Sequence, residues 1–440
     1  MKMSKINIDQ FIVNYSQILF DSKNLDHYLK SDSAYLNSDL TINPYTTDLS
    51  GGIPGILILG KELCEHNIMD KNQLNLDYYI EILLNTIKSD PVYDISLFSG
   101  LSGIGASLVL LEREDLINVI NQINDSLLSL IDFQIENYAT NSGGTKAQDY
   151  DLMYGLSGTL SYLCLCYSSK LSNNFHIQKI EKYIKIIQRY FIDSFYKDIT
   201  INHKIVKPWF ISANNQMTKT DKHNYPFGNY NLSMSHGISG IVGALCSSIK
   251  IGILQPDVES FLNNIVSFII QNSYKDKDGI LSWPLMIKLN QNYEICSPET
   301  LIHNNSWCYG SPGILLNLYN YSILSKDYKL KKKCLNNFQR LTGSINGLPS
   351  PSICHGYSGL LLILNSIKEI NLNPEKIYHK ILSFLDPNLN LGFSTQEFLP
   401  DSKIVNVPDT GILTGISGIL LCLIDSLYGH KTNWIKLFNI

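Results

Sequence analysis

Charge is scarce in this chain. Only 17% of the 440 residues are Asp, Glu, Lys or Arg, and the net charge is −4. There is no basic excess, so nothing in the composition points to nucleic acid or an anionic membrane surface as a partner. The lysine-rich stretch Lys329 to Lys333 is short and reads as a solvated helix face. Long apolar runs are missing too. No run approaches the ~18 residues that a membrane span needs, and patches such as Gly359 to Leu364 break off quickly. The stretch Met1 to Gln10 is polar and lacks the apolar centre of a signal peptide. A cytoplasmic protein is therefore expected. Cysteine is not abundant enough for a disulfide framework, and its count of nine is odd. Cys64, Cys164, Cys166, Cys246 and Cys422 lie in apolar helical runs and read as small buried hydrophobes.

What the sequence does have is a repeat. A G-x-x-G tetrad followed at once by an apolar run occurs seven times: Gly52–Gly55, Gly100–Gly103, Gly155–Gly158, Gly237–Gly240, Gly310–Gly313, Gly356–Gly359 and Gly415–Gly418. With 28 glycines, chance supplies roughly two such tetrads, so the other occurrences are structural. Each run is apolar nearly all round, which is the mark of a fully buried helix. Between tetrads lie amphipathic segments with one wet face: Leu76 to Ile87, Ile117 to Tyr138, Ile177 to Tyr196, Val258 to Ile270 and Tyr328 to Leu341. The unit is an outer helix, a glycine loop and an inner helix. Seven such hairpins predict an all-α fold, an α/α toroid, forming one domain over 1–440. The inner helices would all run one way and gather their glycine loops at one end. Glycine there permits close backbone approach, and helix N-termini favour anionic groups.

The third and fourth tetrads are 82 positions apart, the longest interval. Ile199 to Ile211 is rich in Ile, Val, Trp and Phe, with a turn at Asn202 to Lys204, and Asn214 to Tyr230 reads as an irregular loop. Residues 197–232 are therefore expected to form a small β-containing insertion over the barrel mouth.

The chemistry-bearing residues sit just before the tetrads. Cys308 lies in Trp307-Cys308-Tyr309-Gly310, Cys354 and His355 in Ile353-Cys354-His355-Gly356, and His236 in Ser235-His236-Gly237. Asp151 stands four residues before Gly155. Two cysteines and a histidine make a Cys₂His set that leaves a fourth position open, the pattern of a catalytic zinc. Taken singly, either cysteine reads as a core thiol; at equivalent positions of two repeats they read as ligands. His236 also reads as a helix-start histidine bonded to backbone, and Asp151 and Asp94 as helix caps. His27, His66, His176, His379 and His430 lie away from the tetrads and read as surface or packing residues.

These motifs resemble the lanthionine synthetase C-like superfamily, specifically the stand-alone, nisin-type cyclases of class I lanthipeptide pathways. The resemblance rests on WCYG and CHG, preceded by SHG and D-x-x-x-G, on seven repeats, and on Asn215-Gln216-Met217 and Tyr225-Pro226 in the insertion. It implies one zinc per chain, held by Cys308, Cys354 and His355, with Asp151, His236 and Tyr309 around the reacting centre. It implies addition of peptide cysteine thiolates to dehydroalanine or dehydrobutyrine. His236 would move the proton, Asp151 would orient or charge-stabilise it, and Tyr309 would donate to the enolate oxygen. The implied partner is a dehydrated precursor with leader and core, in a setting with a dehydratase and an exporter at the membrane periphery. One position departs from the pattern. Nisin-type members carry an arginine four residues before the first zinc cysteine, where this chain has Asn304, flanked by His303 and Asn305. Addition of glutathione to dehydrated residues and a non-catalytic zinc scaffold remain as alternative readings. A glycosidase needs two carboxylates at the mouth, and only Asp151 is well placed.

Overall fold

Glycine decides where the buried helices begin. In the computed structural model, which describes residues 7–40, 43–139, 144–197, 199–201, 203–297, 304–398 and 404–440, the first glycine of every tetrad is the N-cap of a helix. These glycines have ordinary negative φ values, so left-handed backbone is not what requires them. The requirement is space. A Cβ on any of the seven would lie 2.2–2.4 Å from backbone of the loop just before it. In six of the seven repeats that loop is closed by one further bond. The amide after the glycine donates to the carbonyl seven residues back, at 2.8–3.0 Å, as Leu101 does to Asp94 and Ser311 to Asn304.

The described residues fall into two compact units. One comprises 93–347, 369–371 and 435–440. It holds four buried helices, Leu101–Leu110, Leu156–Tyr167, Ile238–Lys250 and Ser311–Leu324, each packed on the next. Behind them lie the amphipathic helices Ile117–Ala139, Ile177–Tyr196, Val258–Gln271 and Tyr328–Leu341, each against its own buried partner. The other unit comprises 1–92, 348–368 and 372–434. Its buried helices are Ile53–Glu65, Tyr357–Ser366 and Ile416–Tyr428, and their outer partners are Leu76–Ser89, Glu375–Leu382 and Ile8–Leu19. Leu156–Tyr167 shows why these helices stay inside: Leu156 through Cys166 are all buried, so no polar face is left for water. Each fully buried leucine there contributes about 1.5–3 kcal/mol. Cys164, Cys166, Cys246 and Cys422 are buried as expected, Cys64 is partly so, and no disulfide is present among the described residues. Among those residues no helix is long and apolar enough to cross a membrane.

Short antiparallel pairs interrupt the helices. Ile199–Ile201 pairs with Lys204–Val206, as the sequence suggests, with His203 in left-handed backbone at φ 61°. Asn202 lies outside the described residues. The stretch read as an irregular loop contains a short helix, Lys219–Asn224, and a strand, Asn229–Tyr230. That strand pairs with Ile287–Lys288, far along the chain. Two further pairs were not expected, Tyr274–Lys275 with Leu281–Ser282 and Ser394–Phe398 with Ile404–Pro408.

Candidate active site

The loops ahead of the tetrads are stitched to one another. In the larger unit, Phe98 donates its amide to the Met153 carbonyl (3.2 Å), Leu152 to Ser235 (3.1 Å) and Met234 to Cys308 (3.0 Å). In the other unit, Cys354 donates to Leu413 (3.0 Å) and Leu413 to Ser50 (3.1 Å). Within each unit, neighbouring glycine loops therefore lie side by side. Residues at matching or nearly matching distances before the tetrad become neighbours although they are 55 to 363 positions apart in the chain, as Cys308 and Ser235 are 73 apart.

This stitching assembles Asp151, His236 and Tyr309. The His236 Nδ1 lies 2.7 Å from Asp151 Oδ2. Its backbone amide donates to Ser233 Oγ (3.1 Å), and its carbonyl accepts from the Tyr150 hydroxyl (3.3 Å). The imidazole side chain is 14% exposed, whereas Asp151 is wholly buried. The other Asp151 oxygen, Oδ1, accepts the amides of Tyr154 (2.6 Å) and Gly155 (2.8 Å). The sequence left two readings of Asp151 open, helix cap and partner of His236. Oδ2 faces His236, whereas Oδ1 braces the loop just ahead of the helix, whose N-cap is Gly155 and which takes no side-chain cap. Burial pushes the Asp151 carboxyl upward, against the opposing pull of His236 and the two amides. One hydrogen bond joins Oδ2 and Nδ1, and Nε2, with no hydrogen-bond partner among the described residues, remains for chemistry. The Tyr309 ring sits 5.8 Å from the imidazole. Burial raises the Tyr309 phenol, so it keeps its proton as a hydrogen-bond donor. Its hydroxyl oxygen accepts from Asn231 Nδ2 at 3.5 Å.

Cys308 belongs to the same unit. Its carbonyl accepts the amides of Met234 (3.0 Å) and Ser235 (3.2 Å), so the cysteine loop is fixed to the histidine loop. Its thiol donates to Ser306 Oγ at 3.5 Å. Trp307, beside it, is anchored through Nε1 to the Phe438 carbonyl (3.0 Å) and packs on the rings of Phe98 and Phe438. Cys354 and His355 belong to the other unit, in the turn just before Tyr357–Ser366, both partly buried. Burial lowers the pKa of His355, a shift toward the neutral imidazole that a metal takes. Two thiols and a neutral imidazole are donor types that suit a borderline-soft divalent cation. Among the described residues, neither unit by itself gathers three or more such donors into a metal-holding group.

Asn304 turns out to have a local task. Its Oδ1 accepts the Ser306 amide (2.8 Å), as Asn231 Oδ1 accepts the Ser233 amide (2.9 Å) one repeat earlier. His303 lies outside the described residues. Asp94, read as a possible cap, instead holds its own loop: its Oδ1 accepts the Ser96 amide at 2.8 Å, and the helix that follows is capped by Gly100 without a side-chain bond. His430 pairs with Asp425 (2.8 Å) and His66 lies 3.4 Å from Glu62, packing roles as expected. One residue of the site was missed. Tyr154 stacks on His236 with ring centroids 5.5 Å apart and an interplanar angle of 25°.

Paired helices joined by glycine loops, with an acid–histidine pair and a tyrosine on neighbouring loops, describe a class of protein that the comparisons identify. The family model for "Lanthionine synthetase C-like protein" matches residues 43–439, and the chain belongs to that family. It is 29% identical over 393 residues to the nisin biosynthesis protein NisC of Lactococcus lactis subsp. lactis, covering 88% of this chain and 87% of that protein. A solved structure of nisin cyclase matches with a TM-score of 0.72 at 22% identity, over 95% of this chain and 96% of that one. At that identity the likeness carries the fold, and the fold class is the all-α, α/α toroid class expected from the repeats.

Proposed function

We propose that this protein is a zinc-dependent lanthipeptide cyclase. It closes lanthionine and methyllanthionine rings by adding cysteine thiols of a dehydrated precursor to dehydroalanine or dehydrobutyrine in the same peptide. The observation that carries the reading is the Asp151–His236 pair at 2.7 Å, beside Tyr309 and on a loop bonded to the Cys308 loop. Membership of the family and the likeness to NisC support it.

The reaction is an isomerisation. The thiol loses its proton, sulfur bonds to the alkene β-carbon, the π electrons move to the amide oxygen as an enolate, and a proton reaches the α-carbon. Asp151 holds Nδ1, so His236 exchanges protons through Nε2 alone. Burial of Asp151 keeps water off the shared bond. Tyr309, held as a phenol, donates to the developing enolate oxygen. Cys308, Cys354 and His355 would hold one zinc, which lowers the pKa of a thiol so that it is ionised near neutral pH. Residues 197–232 would help hold the leader or core, a role that suits the exposed Ile205, Met217 and Phe227. The same reading makes the whole of 1–440 one cyclase domain. It places the protein in the cytoplasm, downstream of a dehydratase and beside an exporter.

His236→Ala tests the chemistry. Zinc should stay bound while ring closure slows by ~10²-fold or more. An unchanged rate would remove His236 from the reaction.

A further inference from the structure

The position just before each tetrad has a pattern of its own. From the first repeat to the seventh it reads Gly51, Ser99, Tyr154, His236, Tyr309, His355 and Thr414. Rings occupy four consecutive places, and three of them carry roles in the reading above. Tyr154 is the fourth, and it is not explained by packing alone. It stays partly exposed, beside the buried Met153. It also touches both members of the acid–histidine pair. Its amide donates to Asp151 Oδ1 at 2.6 Å, and its ring lies 5.5 Å from the His236 ring at 25°.

The geometry points to Tyr154 as a positioning residue for His236, an inference that rests on the proton-transfer role given to that histidine above. A single bond from Nδ1 to Asp151 fixes one atom of the imidazole and leaves the ring able to rock about that bond. A near-parallel ring removes this motion and sets the direction in which Nε2 points. The negative face of an aromatic ring also favours the imidazolium that forms when Nε2 takes a proton. It keeps water from the Asp151–His236 bond on the side it covers. Because the amide of Tyr154 is held by Asp151, acid and stacking ring move as one piece, and the orientation is set before substrate arrives. The hydroxyl has no part in this, so the function belongs to the ring.

Three variants of the zinc-loaded, full-length protein, Tyr154→Phe, Tyr154→Leu and Tyr154→Ala, test the inference with two readouts. The first is ring closure on a dehydrated precursor peptide, resolved into kcat and KM. Tyr154→Phe should stay within about twofold of wild type, whereas Tyr154→Leu should lose about tenfold in kcat with KM little changed. Tyr154→Ala should fall at least as far as Tyr154→Leu. The second readout needs no substrate. In protein labelled at histidine, the His236 ring protons should be shifted upfield in wild type and in Tyr154→Phe. They should move downfield in Tyr154→Leu, as the ring current is lost. Wild-type kcat in Tyr154→Leu overturns the inference, and so does a Tyr154→Phe loss equal to that of Tyr154→Leu. His236 resonances unmoved in Tyr154→Leu also overturn it. If wild type itself closes no rings, the cyclase reading fails, and the resonances still decide whether Tyr154 orients His236.

Discussion

Substitution at Asp151 separates the two tasks of its two oxygens. Asp151→Ala removes the acceptor of two backbone amides, those of Tyr154 and Gly155, at 2.6 and 2.8 Å. Gly155 is buried and Tyr154 partly so, and water reaches the first poorly. A buried amide left without a partner costs about 1–3 kcal/mol, so the pair together should cost roughly 2–4 kcal/mol. In thermal unfolding this is a fall of several degrees. Asp151→Asn behaves differently. Its carboxamide oxygen can still accept both amides, so stability should stay within about 1 kcal/mol of wild type. Its amide nitrogen then faces His236 Nδ1 as a donor and forces the imidazole proton to Nε2. That is the wrong tautomer for a base at Nε2, and ring closure should drop by ~10²-fold or more. The assay pairs a melting curve with the rate at which precursor thiols become resistant to alkylation. If Asp151→Ala melts with wild type, the two loop bonds carry no weight. If Asp151→Asn cyclises at the wild-type rate, Asp151 does not set the tautomer of His236.

Three further outcomes are expected. The buried Asp409 carboxyl is raised from 3.8 to about 6, mainly by burial, with Glu397 and Asp48 adding to the rise. Its stabilising contribution is present below about pH 4 and is lost as pH climbs through 6, a swing of about 3 kcal/mol. Asp409→Asn should therefore melt above wild type at pH 8 and lose that advantage at pH 4; an equal difference at both would contradict the assignment. Cys354→Ala should lose nearly all zinc by elemental analysis while His236→Ala retains it, and full zinc in Cys354→Ala would show that the ligand set is wrong. Asn304→Arg should lose the bond to the Ser306 amide and ~0.5–1.5 kcal/mol of stability, whereas Asn304→Asp keeps it. Equal melting of the two would show that the side-chain bond contributes nothing.

Much of this fold is written locally, and for that reason it is readable. A glycine pressed against its own loop and followed by an all-apolar run leaves one solution, a buried helix starting there. The amphipathic helices agree to within two residues, as with Leu76 to Ile87 against the observed Leu76–Ser89. The hairpin at 199–206 was legible, but the other strands escaped because they are short or lack a clean alternation. Asn229–Tyr230 has two residues, too few for alternation to register, and its partner Ile287–Lys288 is 57 positions on. Ser394–Phe398 mixes polar and apolar residues without a clean face, although Ile404–Val407 carried a β-branched signal that could have been used. At the site, residue type was legible and division of labour was not. A structural and a catalytic role looked like alternatives for Asp151 because a sequence shows one carboxylate and not where its two oxygens point; the structural one is a brace of the loop, not a cap of the helix. Tyr154 was not singled out, yet it shares the place before the tetrad with His236, Tyr309 and His355, and that register is visible in the sequence.

The central claim is that this chain closes thioether rings. Purified zinc-loaded protein is incubated with a dehydrated precursor peptide, and the products are alkylated at thiol and weighed. Addition within the peptide changes no mass but consumes thiols. The predicted result is therefore an unaltered peptide mass together with loss of alkylatable cysteines, dependent on His236. Cysteines that remain fully alkylatable after incubation with active-site-intact protein would contradict the account.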